Sequence, residues 1–225
     1  GAPAAASSLV DFVSSALHDQ HQPLLIGIGP LTNLADAFQL NATALCQSDF
    51  WIMGGAWNVP GNIDDEDFLP SHAPVLKNVV SEWNMFADPE SAKTVSQMAT
   101  LVHAVGLDAC VHMMDANHSA LNVDMLARKL RSAAERRSRA WRPAWFVAEV
   151  LQRRPQDSLM NLRYDPLTIS VFLRQEQFHM SEICTQVLTA PTSLAGRTMP
   201  IPASSGACSK FKVTNAVDPT RYGNI

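Results

Sequence analysis

Apolar positions in the first half of the chain follow helical spacing in some segments and form short continuous runs in others. The spacing predicts a helix over 7–18 and a second helix beginning near Thr32, a typical N-cap residue. The runs "PLLIGIG" at 23–29 and "FWIM" at 50–53 predict buried strands, and "LVHAVGLDA" at 101–109 predicts a third. Helices and strands therefore alternate along this part of the sequence.

This alternation is typical of an α/β fold with an open, mostly parallel sheet and crossover helices. The helix before the third strand is predicted to start at Asp88, Pro89 and Glu90. Aspartate is a typical N-cap, proline fits the first turn of a helix, and glutamate is stabilised by the positive end of the helix dipole. Ligands of such sheets bind beyond the carboxyl ends of the strands. The polar residues at 62–84, which follow the second strand, are therefore expected near a binding site.

The second half of the sequence is less regular. Residues 121–154 contain nine of the 17 basic residues and predict helices that could either contact nucleic acid or form a solvated pair. The net charge of −4 favours the solvated pair, and we expect no nucleic-acid partner. Residues 165–173 predict a helix or a helix–strand junction, and short extended segments are expected after 186.

Composition adds limits on class and compartment. The 225 residues are 47% apolar and 17% charged, enough for a packed core, and no stretch is long and apolar enough to span a bilayer. The sequence as it stands starts without a basic signal region, so the compartment, cytoplasmic or secreted, stays open. The four cysteines form no Cys-x-x-Cys pair, which argues against zinc and is compatible with one or two disulfides in a secreted protein: Cys46, Cys110, Cys184 and Cys208.

Several motifs in fixed order resemble those of the inosine-uridine preferring nucleoside hydrolases. They are "IGIGPLTNLA" at 26–35, "IMGGAWNVPGN" at 52–62, "EWNMFADPE" at 82–90 and "YDPL" at 164–167. The resemblance implies one partial hydrolase-like domain over 1–225. It also implies an enzyme of nucleoside catabolism or salvage that hydrolyses the N-glycosidic bond of ribonucleosides to ribose and free base. It further implies calcium as cofactor, a ribonucleoside as the small-molecule partner, and is compatible with a homo-oligomer.

The same resemblance assigns roles to individual residues. The main-chain carbonyl of Ile28 and the carboxylate of Asp165 match calcium ligands, and Tyr164 stands where the family often has a histidine acid. The residues that match the ribose-binding positions are Met53, Asn62, Glu82 and Asn84. A tyrosine has a pKa near 10, so it is not an equivalent acid.

Each of these positions also has a purely structural interpretation. Asn62 could be a turn residue, Met53 a core residue, and Asp165 only an N-cap before Pro166. Glu82 and Asn84 could lie on a solvated edge. If their segment is extended, however, residues two apart point to the same side. Both would then face one sugar while Trp83 faces protein.

Two departures from the family pattern affect the expected activity. The aspartate motif D-T-D-x-G-x-D-D, which supplies most of the family's calcium ligands and its base, is not found in this sequence. We therefore expect that the N-terminal strands are missing and that this chain alone is inactive, as a fragment, as one half of a two-chain enzyme, or as a non-catalytic ribose- or nucleoside-binding pseudoenzyme. Residues 63–81 are expected to form an inserted loop.

Overall fold

A six-stranded sheet organises the part of the chain that the computed structural model describes, which is residues 4–63, 80–115, 123–136, 142–153 and 164–217. The strands are β1 (Leu24–Gly27), β2 (Asp49–Met53), β3 (Val102–Val105), β4 (Phe178–Val187), β5 (Thr198–Pro200) and β6 (Ser209–Val217). Their order across the sheet is β1-β2-β3-β6-β4-β5, and the first four are parallel. β4 runs antiparallel to β6 and to β5. The prediction of an open, mostly parallel α/β sheet is confirmed.

Helices cover both faces of this sheet. They are α1 (Ala4–His18), α2 (Thr32–Leu45), α3 (Trp83–Ala87), α4 (Pro89–Met98), α5 (Leu107–Asp115), α6 (Val123–Arg136), α7 (Arg142–Arg153) and α8 (Asp165–Leu173). The alternation of side chains along β2 divides the core, because Phe50 and Ile52 pack with α1, α2 and α4. Trp51 and Met53 point to the other face and pack with α5 and α8.

The helix start at residue 88 is confirmed. Asp88 is the N-cap of α4, its carboxylate accepts a hydrogen bond from Ser91 N at 3.1 Å, and Pro89 lies in the first turn. The predicted N-cap role of Thr32 is wrong, because Leu31 occupies that position. The Thr32 hydroxyl instead donates to Asp88 Oδ2 at 2.5 Å, so it joins the starts of two neighbouring helices.

The third strand is shorter than predicted. It ends at Val105, Gly106 forms the turn, and α5 begins at Leu107. A Cβ on Gly106 would lie 2.5 Å from the carbonyl oxygen of Gly55. This close approach, together with the bond from Leu107 N to Gly55 O at 2.8 Å, turns the chain away from the sheet.

The C-terminal part contains more regular structure than predicted. Residues 165–173 are helical throughout, and the segment after 186 includes the end of β4 together with β5 and β6. A disulfide joins Cys184 in β4 to Cys208 before β6, whereas Cys46 and Cys110 are free thiols. Within the described residues, no helix is long and apolar enough to cross a membrane.

Two sequence predictions concern regions that the structure describes only in part. Helices α6 and α7 pack against each other, and Glu149 of α7 pairs with Arg131 of α6 and with Arg153. The two segments therefore form a helix pair, and the expectation that it binds no nucleic acid stays a prediction. Of the inserted loop expected at 63–81, residues 64–79 lie outside the described residues.

Candidate functional site

Glu82 is the most deeply buried charged residue of the candidate site. Its side chain is 1% exposed, and its backbone is the N-cap of α3. Oε2 accepts hydrogen bonds from three main-chain amides: Asn84 N at 2.9 Å, Met85 N at 3.2 Å and Gly55 N at 3.3 Å. Two of these amides belong to the first turn of α3 and the third to the segment after β2. The carboxylate therefore joins the two segments.

Burial raises the pKa of Glu82 to about 7 from 4.5, because removing a carboxylate from water favours the neutral acid. The hydrogen bonds from the three amides lower this pKa, whereas the charge of Asp165 raises it further. The result is a carboxyl group that changes charge near neutral pH. Ionisable groups with strongly shifted pKa values are concentrated at functional sites, so Glu82 is a candidate for function.

Asn84 lies beside the end of strand β2. Its Nδ2 donates to the main-chain oxygen of Met53 at 3.0 Å and contacts Met53 Sδ at 3.3 Å. Both side chains are buried. The predicted extended segment is wrong, because 83–87 form a helix that begins directly after Glu82. Trp83 is 36% exposed rather than directed into the protein, while Glu82 and Asn84 share the buried side.

Asn62 is joined to the same segment. Its Oδ1 accepts a hydrogen bond from Trp83 N at 2.9 Å, and its main-chain N donates to Ser81 O at 3.0 Å. The preceding Gly61 lies so close to the backbone of Ser81 that a Cβ would overlap it. Asn62 is thus more than a turn residue, since its side chain binds the residue after Glu82 and its main chain binds the residue before it.

Tyr164 and Asp165 stand at the start of α8. Helix α8 begins at Asp165 and its N-cap is Tyr164, so the interpretation of Asp165 as an N-cap is wrong. Burial raises the pKa of the partly exposed Asp165, and its charge contributes to the raised pKa of Glu82. Tyr164 is partly buried against the core cluster that contains Met53. Asp165 therefore lies within electrostatic reach of Glu82.

Ile28 lies apart from these contacts. It follows the last residue of β1, at the same end of the sheet as Met53, and its side chain is 49% exposed. Only its main-chain carbonyl was predicted to bind metal, so side-chain exposure does not affect that role. No contact of the structure joins this carbonyl to Asp165 among the described residues.

The glycine pair after β2 shapes the loop that meets Glu82. Gly54 N donates to Val105 O at 3.2 Å, and Gly55 has φ of +94°, a conformation that favours glycine. Two further residues of this loop, Trp57 and Asn58, donate main-chain amides to Asp108 at 2.9 and 2.8 Å. Asp108 was quoted from the sequence only as part of the strand at 101–109, so its role in holding the loop was missed.

The described residues do not by themselves form a calcium site. Calcium takes six to eight oxygen ligands, whereas Asp165 and the Ile28 carbonyl supply only part of such a set. Among the residues that the structure describes, no group of three histidine, cysteine, aspartate or glutamate side chains could hold a metal ion. Calcium therefore stays a prediction.

Comparison with known proteins decides the family. A family model for the inosine-uridine preferring nucleoside hydrolases matches residues 2–224. The chain belongs to this family. One relative within it is the RihB protein of Shigella boydii, whose assigned name is pyrimidine-specific ribonucleoside hydrolase. It is 31% identical over 109 residues, which are 48% of this chain and 36% of the relative.

Solved structures of nucleoside hydrolases share the fold. An inosine-uridine preferring nucleoside hydrolase from Bacillus anthracis superposes with a TM-score of 0.69 and 20% identity, over 100% of this chain and 64% of that one. A purine-preferring ribonucleoside hydrolase from Gardnerella vaginalis superposes with a TM-score of 0.66 and 21% sequence identity. The match covers 99% of this chain and 63% of that one. The chain thus spans less than two thirds of the length of these nucleoside hydrolases.

Proposed function

We propose that this chain binds the ribose of a ribonucleoside through Asn62, Glu82 and Asn84, with Met53 against the sugar. The whole protein would hydrolyse the N-glycosidic bond to give ribose and free base. Family membership supports the reaction class. The observation that carries the site is the set of hydrogen bonds that these three side chains already make within the protein.

Each side chain uses one polar atom for the fold and offers the other to a ligand. Asn62 uses its oxygen, so its NH₂ group can donate. Asn84 uses its NH₂ group, so its oxygen can accept. Glu82 uses Oε2 for three amides, which directs the ligand to Oε1. One donor and two acceptors suit a ring that carries several hydroxyl groups, each of which both donates and accepts.

The reaction requires stabilisation of positive charge on the sugar. The bond from C1′ to the base nitrogen breaks, the oxygen of a water adds to C1′, and the base leaves with a proton. The transition state resembles an oxocarbenium ion, so nearby anionic oxygens lower the barrier. Glu82 supplies such an oxygen when it is ionised, and Asp165 is close enough for its charge to act on Glu82. We assign no general base within this chain.

Ribose release from uridine and inosine tests the proposal. The substrates are given to the full-length gene product and to this chain alone, and the free base is separated by chromatography. Glu82→Gln should lower kcat/KM by roughly 10- to 100-fold, the worth of a hydrogen bond to a charged group. The matched control is Glu90→Gln, on the exposed first turn of α4, which should leave the rate unchanged. Equal rates for Glu82→Gln and wild type would contradict the assigned site.

The calcium prediction has a separate test. Calcium binding is measured by titration calorimetry on the wild-type protein and on Asp165→Asn, and activity is compared before and after chelation. Asp165→Asn should weaken calcium binding at least about tenfold if the carboxylate is a ligand. Unchanged calcium affinity in this variant would remove Asp165 from the predicted ligand set.

Binding without hydrolysis is the second candidate function. The observation that favours it for this chain is the lack of the D-T-D-x-G-x-D-D motif in the sequence. Nucleoside binding by the chain, measured calorimetrically without ribose release, would support this alternative. Hydrolysis by the chain alone would exclude it.

A further inference from the structure

Thr198 makes two hydrogen bonds to the loop that carries the candidate site. Its hydroxyl donates to the main-chain oxygen of Ala56 at 2.8 Å and accepts from the main-chain nitrogen of Ala56 at 3.0 Å. Thr198 is 2% exposed and Ala56 is 5% exposed. A threonine hydroxyl can satisfy a donor and an acceptor at once, which few other side chains of this size can do. The bonds therefore fix both polar groups of one buried peptide position.

Ala56 directly follows Gly55, and Gly55 is hydrogen-bonded to Glu82. Gly55 N donates to Glu82 Oε2, and Gly55 O accepts from Leu107 N. The segment 54–56 is thus held by β3 and α5 on one side and by Thr198 on the other. A shift of Ala56 would move Gly55 and lengthen its bond to Glu82, which is already 3.3 Å long.

Thr198 is the first residue of β5, which forms an antiparallel hairpin with β4. This hairpin contacts two other parts of the site. Trp57 Nε1 donates to the hydroxyl of Thr185 in β4 at 3.0 Å. Ser81, which precedes Glu82, donates through its hydroxyl to Ala195 O at 2.7 Å. The turn before β5 also packs against α3, where a Cβ on Gly196 would lie 2.6 Å from the backbone of Phe86. The hairpin therefore supports both segments that meet at Glu82.

We propose that Thr198 is a positioning residue for the nucleoside site, which holds Gly55 in place against Glu82 through its two bonds to Ala56. The hydroxyl acts on the substrate only through this chain of contacts. The expected effect of Thr198 on catalysis rests on the proposed function, whereas its expected effect on the conformation of the loop after β2 does not.

Three variants separate this role from ordinary packing. Thr198→Val keeps the shape and removes the hydroxyl, and Thr198→Ser keeps the hydroxyl. The matched control is Thr214→Val in β6, because Thr214 is 0% exposed and its hydroxyl has no partner among the described residues. All three are compared with wild type by circular dichroism before other measurements.

Backbone amide exchange tests the loop without any nucleoside. Thr198→Val should speed exchange at Gly55 and Ala56 by at least about tenfold while Ala104 in β3 keeps its wild-type rate. Thr198→Ser and Thr214→Val should match wild type at all three amides. Unchanged exchange at Gly55 in Thr198→Val would overturn the proposal. Global unfolding of that variant would also overturn it, because the hydroxyl would then serve the core as a whole.

Steady-state kinetics of the full-length gene product with uridine test the consequence for the site. Thr198→Val should lower kcat about tenfold and change KM by less than about twofold. The reason is that a misplaced Glu82 carboxylate raises the free energy of the transition state more than that of the bound substrate. Thr198→Ser should restore kcat to within about twofold. Absence of hydrolase activity in the wild-type full-length gene product would refute the proposed reaction, and the exchange rates would then decide the role of Thr198 by themselves.

Discussion

The side-chain nitrogen of Asn84 lies 3.0 Å from the main-chain oxygen of Met53, so the first turn of α3 is bonded directly to the end of β2. These two residues are 31 positions apart in the sequence. Parallel strands end with carbonyl groups that have no partner beyond the sheet, and here a buried amide provides one. The contact makes the strand end and the short helix one structural unit.

Asn84→Ala should destabilise the protein. Removal of the amide leaves the Met53 carbonyl buried without its donor, which costs about 1–3 kcal/mol of unfolding free energy. Urea denaturation followed by circular dichroism measures this loss. The control Asn215→Ala removes an amide whose bond to Ser181 lies at the surface, so its cost should stay below about 1 kcal/mol. Equal costs for the two variants would contradict the assigned importance of the Met53 contact.

The raised pKa of Glu82 predicts a stability that falls as pH rises. The unfolded chain releases this proton near 4.5, whereas the folded protein holds it to about 7. Protonated Glu82 therefore contributes its full stabilisation to the folded state below pH 4.5. This contribution to the unfolding free energy is lost between pH 4.5 and 7. The loss amounts to about 3 kcal/mol.

Glu82→Gln checks this pH dependence. The amide does not titrate, so the difference in unfolding free energy between pH 5 and pH 7.5 should shrink in the variant. The exposed Glu90→Gln should keep the wild-type difference. Urea midpoints at four pH values decide the matter, and a Glu82→Gln curve parallel to wild type would be the contrary result.

Gly55→Ala should disrupt the loop after β2. Gly55 has φ of +94°, which costs an L residue about 1 kcal/mol, and a Cβ there would overlap the ring of Trp57. We expect a loss of about 2 kcal/mol or more and weaker nucleoside binding. Gly206→Ala is the matched control, because a Cβ at that position meets nothing within 4 Å. Thermal denaturation that ranks the two variants equally would count against this account.

Removal of the disulfide should lower stability without changing the fold. The bond between Cys184 and Cys208 closes a loop of 24 residues, for which the chain-entropy estimate is about 3 kcal/mol. The double variant Cys184→Ala, Cys208→Ala should show this loss in urea and should no longer respond to dithiothreitol. Wild-type protein treated with dithiothreitol should reach the same stability. A reduced wild type as stable as the oxidised one would disprove the prediction.

Local rules predicted the elements whose causes are local. The start of α4 follows from Asp88 and Pro89 alone, and the strands at 23–29 and 50–53 follow from their apolar runs. Motif order placed Met53, Asn62, Glu82 and Asn84 together, and the structure joins them through hydrogen bonds. Their assignment to ribose is still a prediction.

The remaining features depend on contacts between distant residues. Thr32 looks like a cap in its local sequence, but the hydroxyl is bonded to Asp88 across 56 residues. The segment at Glu82 looks extended, but amides of the next two residues bind its carboxylate and start a helix. Neither the pairing of Cys184 with Cys208 nor the contact of Thr198 with Ala56 has a signal in nearby residues.

A ribosome releases Ala56 long before it reaches Thr198, because 142 residues separate the two. During that interval the nascent chain can form β1, β2 and α4, yet the buried peptide at Ala56 still lacks its threonine partner. Contacts of such long sequence separation form late, since closing the intervening chain costs entropy before any bond repays it. The loop after β2 is therefore among the last parts of the molecule to mature, and a stalled or shortened translation product would carry Gly55 and Ala56 without the support of Thr198.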